Sequence, residues 1–595
     1  MYNVVIFSGG TGSTALQEGF SAIYGNDNYN LDIIINAYDN GKSTGACRKV
    51  FDNKILGPSD LRKNHLHQFR IVNTSALSDP DSRESAIYSL FTLRISGKSK
   101  EDYYSRACFE LNDRKDILGD ELFTPLNKLL DYFFYENKKS RKLRKVLDDI
   151  DFTDFSLANI FYSSAAAKNG YSLRLAGKYM AQLLNIKDNV HLISDVNLYL
   201  KARTESGKII DDEGEIVCWN DPSDKISSVF LTNDGAEYIP SIDEETDIKK
   251  VKSVKSLIEE ADIIIFSSGT QWSSLIPTYM HSGFRDVLCA SKARKYIVIN
   301  NSQDYDMLGV SAEDMLHILD SYIPINNVTA VVNSDACDGM NKISSIRSII
   351  GKIGLDAYKH DPIKTVSLIM KDYFGISDFD GTYFFDLDGA LWDERADVTG
   401  KEVGAENVSD FSGIILSGNN YEHVRDVFKT FYNGKNVITI YSDFGNVCFN
   451  SSDYSKHKIT DMFDIDPKIV DILNGIPYFR NKVKLRGEGC VITIKPLINR
   501  KTLVKTAQKV LDSFSDEYEA RISGHTSIDI MKKNYNKKNM LNMIMTRDGL
   551  SANQVIFVGN ETIKGSEAAI GELGVKMIQT NDVYECNVLL KTIRS

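Results

Sequence analysis

The chain has 595 residues, with 70 Lys and Arg against 81 Asp and Glu for a formal net charge of −11, and its length predicts two large domains, or three with an insertion. The acidic balance, with no basic stretch interleaved with aromatics, argues against a nucleic-acid partner. Eight cysteines without a C-x-x-C pair, no apolar run near the ~20 residues of a membrane helix and no leader-like start exclude a disulfide framework, a zinc knuckle and a membrane partner, and predict a soluble cytoplasmic protein.

The first predicted element is the apolar run NVVIF, which leads directly into SGGTGST and the helical ALQEGF. Strand, glycine-rich turn and helix start, in that order, put backbone N–H groups and a helix N-terminus where an anion would sit. Ser8, Gly9, Gly10, Thr11, Gly12 and Ser13 are therefore candidate phosphate-binding residues, although the same residues also suit a plain turn. Neither the spaced-glycine dinucleotide fingerprint nor the Walker lysine is present, which argues against NAD and against a P-loop ATPase. The next strand, LDIIINAY, ends at Asp39 and a second tight loop with Lys42 and Ser43, and LGPSDLRKN adds Asp60. Two strand-proximal aspartates beside a phosphate cradle suit a shared Mg²⁺ or a base; singly, each suits a turn or an N-cap.

Further along, FTPLNKLLDYFFYENKKSRKLRKVLDDI has helical amphipathicity, and its basic NKKSRKLRK reads as a solvated face. ADIIIFSSG and KYIVIN are again short apolar runs ending in small or polar residues, and Ser268, Gly269, Thr270, Ser273 and Ser274 form a third loop of small and hydroxyl residues. The alternation predicts an α/β fold, a doubly wound Rossmann-like sheet with its ligand crevice at the strand C-terminal ends.

Around residues 375–385 the pattern restarts, which divides the chain into domains 1–372 and 373–595. GTYFFDLDGALWD places Asp386 and Asp388 two apart at the end of an apolar strand, so both side chains share one crest while Leu387 points away. Such a pair suits Mg²⁺-assisted phosphoryl transfer, one carboxylate attacking phosphorus and the other handling the leaving-group proton. The nearby Asp378 and Asp380 have the same spacing without the apolar strand and rank second. IILSGN then supplies Ser417 and Gly418, SIDIMKKNYNKKNML supplies Lys537 just before a helix, and VIFVGNETIKGSEAA supplies Asn560, Glu561 and Glu567.

From about residue 3 to 335 the order of GGTG, DNGKSTG, GPSDLR and SSGTQWSSLIP resembles the CofD/YvcK-like family, and SGKIIDDEGEIV, with Glu215, falls where that family has its Gly-Glu segment. From about 380 to 595 the four motifs in order resemble the haloacid dehalogenase superfamily, with RGEGCVITIKPL similar to its Cof-type, phosphomannomutase-like branch. The first resemblance implies a Rossmann-like domain that binds a nucleoside-diphosphate-linked small molecule, with Asp39 and Asp60 at the Mg²⁺ and acceptor-hydroxyl positions. The second implies a Rossmannoid phosphatase domain acting on a phosphorylated small molecule, with an inserted α/β cap at about 422–530. In it Asp386 would be the nucleophile, Asp388 the acid/base, Ser417 and Lys537 phosphate ligands, and Arg486 a candidate substrate contact. Its Mg²⁺ would be held by Asp386, Asp388 and the last motif, where Asn560 stands in the usual aspartate position and Glu561 or Glu567 would compensate.

Together these resemblances imply a bifunctional enzyme, a transferase fused to a phosphatase, and a homodimer. The alternative is a nucleotide-sugar-binding regulatory protein with a phosphatase output domain.

Overall fold

Val- and Ile-rich runs without polar alternation suit strands covered on both faces, and they form the core of each half of the molecule. The structure is a computed structural model that describes residues 2–595 apart from 26–27, 137–140, 234, 394–402, 405–412, 433, 435, 481, 496–498, 524–526 and 564–566. Much of the basic NKKSRKLRK face lies outside the described residues. The chain forms two compact units, Met1–Tyr373 with Ser595, and Phe374–Arg594.

In the first unit seven strands make one sheet: β1 (Tyr2–Phe7), β2 (Tyr29–Ile35), β3 (Val190–Leu192), β4 (Ile263–Phe266), β5 (Arg294–Val298), β6 (Val328–Asn333) and β7 (Ser348–Gly351). Every pairing is parallel, in the order β7-β6-β5-β4-β1-β2-β3. The winding therefore runs one way from β1 through β3 and the other way from β4 through β7. The loops leaving β1 and β4 lie at that reversal, where a doubly wound sheet has its crevice at the strand C-terminal ends. Helices α1 (Thr14–Tyr24), α2 (Lys42–Val50) and α3 (Ser59–Val72) follow the first two strands. A helical insertion before β3 is anchored by α4 (Leu157–Lys168), whose Ala- and Ser-rich turns are buried from Leu157 to Ala167.

The second unit repeats the plan on a smaller scale. Its core sheet contains β8 (Thr382–Phe385), β9 (Ile414–Leu416), β10 (Thr439–Ser442), β11 (Val447–Asn450), β12 (His457–Lys458), β17 (Val555–Gly559) and β18 (Lys576–Gln579), in the order β12-β11-β10-β9-β8-β17-β18. The strands from β10 to β18 in that order pair in parallel, and β11 and β12 add an antiparallel edge. Between β12 and β17 lies a separate antiparallel sheet of β13 (Val483–Arg486), β14 (Val491–Ile494), β15 (Tyr518–Ser523) and β16 (Ser527–Lys532).

One face of that sheet, with Ile492, Ile494, Ile528 and Ile530, packs on α5 (Pro467–Asn474) and α6 (Arg500–Phe514) around a core of its own that includes Leu473 and Leu511. This body begins near residue 465, later than the expected 422. Residues 421–458 instead supply a helix to the core domain and three strands to its sheet.

Gly19 sits where α1 crosses the C-terminal helix of the first unit: a Cβ there would lie 2.1 Å from the Pro362 carbonyl oxygen and 2.6 Å from Val366 Cγ2. Helix propensity favours alanine over glycine by about 1 kcal/mol, but overpacking against backbone costs about 1–3 kcal/mol. Gly19→Ala is therefore expected to lower the melting temperature of the first unit, measured by thermal denaturation of the full chain; an unchanged or raised midpoint would contradict the packing.

Candidate functional sites

The turn after β1 is braced from within. Ser8 Oγ donates to Ser13 Oγ at 2.7 Å and to the Gly9 carbonyl at 2.9 Å, and Gln17 Nε2 donates to Ser13 Oγ at 2.7 Å. Both serines are buried, so the accessible side of the turn is formed by Gly10, Thr11 and Gly12. A Cβ on Gly12 would lie 1.9 Å from the Ser268 carbonyl oxygen, and one on Gly9 2.8 Å from Ser274 Cβ, so glycine lets the first turn press against the loop that leaves β4.

Asn300, just after β5, closes that second loop by accepting from Gly269 N at 2.9 Å and donating to Gly269 O at 3.2 Å. Asp306 accepts from Ser273 N and Oγ at 3.1 and 3.2 Å, and Thr270 Oγ1 donates to Ser274 Oγ at 2.8 Å. A cleft of about 710 Å³ opens beside these loops, walled by Gly9–Gly12, Ser268–Thr270 and Ser274 and continuing to Asp304 and Tyr358. Burial pushes the Asp304 carboxyl up to about 6 and that of Asp306, with Asp304 adjacent, to about 7.

An acidic cluster stands at the end of β2. Asp39 accepts from Gly41 N at 2.8 Å and from Thr44 Oγ1 at 3.2 Å. Asp60, in the first turn of α3, pairs with Lys63 Nζ at 3.1 Å. Burial raises the pKa of Asp60, with Lys63 opposing and Asp39 adding to the shift. Glu213 hydrogen-bonds Asp39, and burial together with the charges of Asp39 and Asp60 pushes its carboxyl up to about 9.

Glu213 is the acid that the sequence reading did not single out. The expected Glu215 is exposed, and within DDEGE no spacing rule distinguishes the two. Ser43 is buried against Asn159, which donates to it at 3.2 Å, and Lys42 is an exposed residue at φ 35° opening α2, so neither lines the cleft.

In the second unit the four expected motifs meet at the strand ends. Asp386 N donates to the Val558 carbonyl at 2.8 Å, which fixes β8 beside β17 at the site. Lys537, at the start of α7 (Lys537–Asp548), lies 2.6 Å from both Asp386 Oδ1 and Glu567 Oε1, and all three are buried. Burial raises the pKa of Asp386 despite the lysine. It also works against the charge of Lys537, yet the two carboxylates hold that pKa above the usual lysine range.

Asp388 Oδ2 accepts from Ser417 Oγ at 3.2 Å and Asn419 Nδ2 at 2.9 Å, and His423 Nε2 lies 3.6 Å from Oδ1. Burial alone would raise Asp388; His423, Asn419 and Lys537 together hold it below the usual carboxylate range. Gly389 has φ 85°, and a Cβ there would lie 1.9 Å from Asn560 Nδ2, which brings Asn560 beside the Asp388 loop. Gly418 approaches the Phe444 ring, 3.0 Å from its would-be Cβ. Glu561 is exposed, as are Asp378 and Asp380. Arg486 pairs with Asp529 at 2.8 Å within the inserted sheet. Asn419 and His423 also went unremarked in the sequence, where nothing but their nearness to Ser417 marks them.

Among the described residues no three His, Cys, Asp or Glu side chains converge as a ready metal cage, and no helix is long and apolar enough to cross a membrane.

A family model for the 2-phospho-L-lactate transferase CofD matches residues 4–348, more than half of the chain. The chain belongs to the CofD family. A second model, for haloacid dehalogenase-like hydrolases, matches residues 420–563 of this CofD-family chain. That match starts after Asp386, Asp388 and Ser417 and ends before Glu567, so the meeting of these residues with Lys537 is known from the structure.

A relative in Aquifex aeolicus is 24% identical over 396 residues, 62% of this chain and 96% of its own length. The gluconeogenesis factor of Halalkalibacterium halodurans is 23% identical over 318 residues, 53% of this chain and 72% of its own. A crystal structure of a UPF0052-family protein from Bacillus halodurans aligns with a TM-score of 0.43 at 18% identity, covering 62% of this chain and all of that one.

Removing the cation from between two buried carboxylates costs about 3–5 kcal/mol. Lys537→Met is accordingly expected to destabilise the second unit by that order in urea denaturation at pH 7. Asp386 has a raised folded-state pKa and so favours the folded state when protonated; the loss should shrink as the pH falls through its titration. A loss that is constant with pH would contradict this arrangement.

Proposed function

We propose that the second unit is a Mg²⁺-dependent phosphomonoester hydrolase in which Asp386 is the nucleophile. In the same chain, the first unit would bind a nucleoside-diphosphate-linked small molecule and transfer a phosphate-containing group from it to an acceptor hydroxyl. The observation that carries the first half is the buried Lys537 held 2.6 Å from both Asp386 and Glu567, with Asp388 two residues along the same strand end. A cation fixed beside a carboxylate nucleophile can take up the charge of a transferring phosphoryl group and of the phosphoaspartate that follows.

In this reading Asp386 Oδ attacks phosphorus while Asp388 gives its proton to the departing oxygen, and Asp388 later takes a proton from the water that hydrolyses the acyl phosphate. Ser417 and Lys537 hold the phosphate oxygens. Asp388 is held ionised in the resting site by its hydrogen bonds, so the arriving phosphate dianion is what would raise it to a proton donor.

The donor set of both units fits Mg²⁺. It is all oxygen, and Mg²⁺ binds through one or two carboxylates, waters and substrate phosphate, without needing a closed protein cage. Asp386 and Asn560, with Glu567 behind them, would hold it in the second unit, and Asp39 and Asp60 in the first. When bound, it supplies charge neutralisation at the attacked phosphorus.

Support for the first unit comes from the placement of its cleft at the winding reversal, with small-residue loops on its walls and Asp39, Asp60 and Glu213 gathered at the adjoining strand end. A second reading, a binding module that regulates without turnover, is favoured by the name gluconeogenesis factor carried by relatives such as that of Halalkalibacterium halodurans. Incubation of the full chain with Mg²⁺ and nucleoside-diphosphate-linked donors separates the two, since a regulator leaves its ligand intact.

Asp386→Asn is expected to lower phosphomonoester hydrolysis at least about 10³-fold in a variant that thermal melting shows to be folded; retained hydrolysis would remove Asp386 from the mechanism. A nucleoside diphosphate with Mg²⁺ at about 100 times its Kd should stabilise the first unit by about 2.7 kcal/mol. Asp39→Asn should reduce that gain in a thermal-shift assay, and an equal gain in the variant would exclude Asp39 from the site.

A further inference from the structure

Backbone N–H groups and neutral hydroxyls carry no formal charge to set against a diphosphate, and the turn from Ser8 to Ser13 contains no lysine or arginine. The charge arrives from α3. Lys63 stands at the start of the second turn of that helix, and its side chain lies along the glycine-rich turn: a Cβ added to Gly10 would fall 2.9 Å from both its Cδ and its Nζ. The same Cβ would fall 2.6 Å from Asp60 Oδ1, so Gly10, Lys63 and Asp60 share one small space.

The ammonium group is paired with Asp60 at 3.1 Å and its side chain is 40% exposed, so it reaches the solvent side of the turn. A lysine ammonium has three donors, and one carboxylate oxygen does not exhaust them. Of the other nearby cations, Arg62 Nη1 donates to the Phe91 carbonyl at 3.4 Å, whereas Arg70, paired with Glu18, and Lys359 line the cleft beside the turn. Lys63 is also the cation ion-paired to the Asp39, Asp60 and Glu213 cluster among the described residues.

We propose that Lys63 is the charged ligand of the diphosphate bound at the glycine-rich turn, performing from α3 the task that a loop lysine performs in other phosphate cradles. Its position between Gly10 and Asp60 puts it at the border between the anion-binding turn and the acidic cluster. One ammonium thereby contacts the bound phosphate and offsets the carboxylates that would repel it. This inference rests on the nucleotide-binding reading of the first unit.

The test is isothermal titration calorimetry of the full chain with inorganic pyrophosphate and with nucleoside mono- and diphosphates, in the presence of Mg²⁺. Lys63→Met is expected to weaken pyrophosphate and nucleoside diphosphates by about tenfold or more, the worth of one charge-assisted hydrogen bond. Monophosphates should be affected less, and Lys63→Arg should stay within about threefold of the unmodified chain because the charge is kept.

A lysine that served only to hold Asp60 would give a different pattern. Lys63→Met and Asp60→Asn would then weaken pyrophosphate equally, and the double variant would be no worse than either. That pattern, or pyrophosphate binding within twofold of the unmodified chain in Lys63→Met, would overturn the assignment. Thermal melting of each variant guards against reading misfolding as lost affinity. Failure of the unmodified chain to bind pyrophosphate or any nucleoside diphosphate would overturn the nucleotide reading itself, and this inference with it; binding by the unmodified chain with no response to Lys63→Met removes Lys63 alone.

Discussion

Both candidate sites depend on one topological constraint, the reversal of winding beside the first strand of each parallel sheet. In the first unit β1 lies between β2, reached by winding one way, and β4, reached by winding the other; in the second, β8 lies between β9 and β17 in the same relation. Right-handed crossovers on opposite sides carry the following chain to opposite faces of the sheet. The reversal therefore leaves backbone amides and short side chains of the adjoining loops facing a crevice at the strand C-terminal ends. The Ser8–Ser13 turn and the Ser268–Ser274 loop meet at the first reversal, and the Asp386 and Asn560 loops meet at the second.

Given that crevice, the two units treat charge differently. In the second unit a buried cation lies between two buried carboxylates at 2.6 Å on either side. An ion group of that kind contributes little net stability over an apolar core but is costly to break, so it holds Asp386 in one place. In the first unit three carboxylates gather with one paired lysine, and their mutual repulsion raises the pKa of Glu213 beyond what burial does. A site that gathers acids in this way gains from a cation that binds there.

Close approach is the other requirement that both sites share. Gly12 lets two loops touch backbone to backbone, Gly9 admits the Ser274 side chain, and Gly389 lets Asn560 reach the Asp388 loop, at positions where a methyl group would collide with atoms 1.9–2.8 Å away. Hydroxyls that look like ligands in the sequence, Ser8 and Ser13 above all, are spent inside the turn as braces. They set the shape of the turn, and the groups left accessible there are the main chain and, beside Gly10, the Lys63 side chain.

Much of this was determined by the sequence alone. Unbroken apolar runs ending in small residues have one stable use, as buried parallel strands, and their alternation with helices specifies doubly wound sheets. The pair Asp386 and Asp388 is legible because a period of two forces both onto one crest. Only the tertiary structure decided which acid joins Asp39, since Glu213 and Glu215 sit in the same short segment and differ only in the direction a helical turn gives them.

It likewise decided that Ser43 faces Asn159, that residues 421–458 belong to the core sheet, and that Lys63 reaches Gly10. These depend on contacts between segments distant in the chain. Local spacing records which face of its own element a residue occupies; it carries no record of what another element brings to that face.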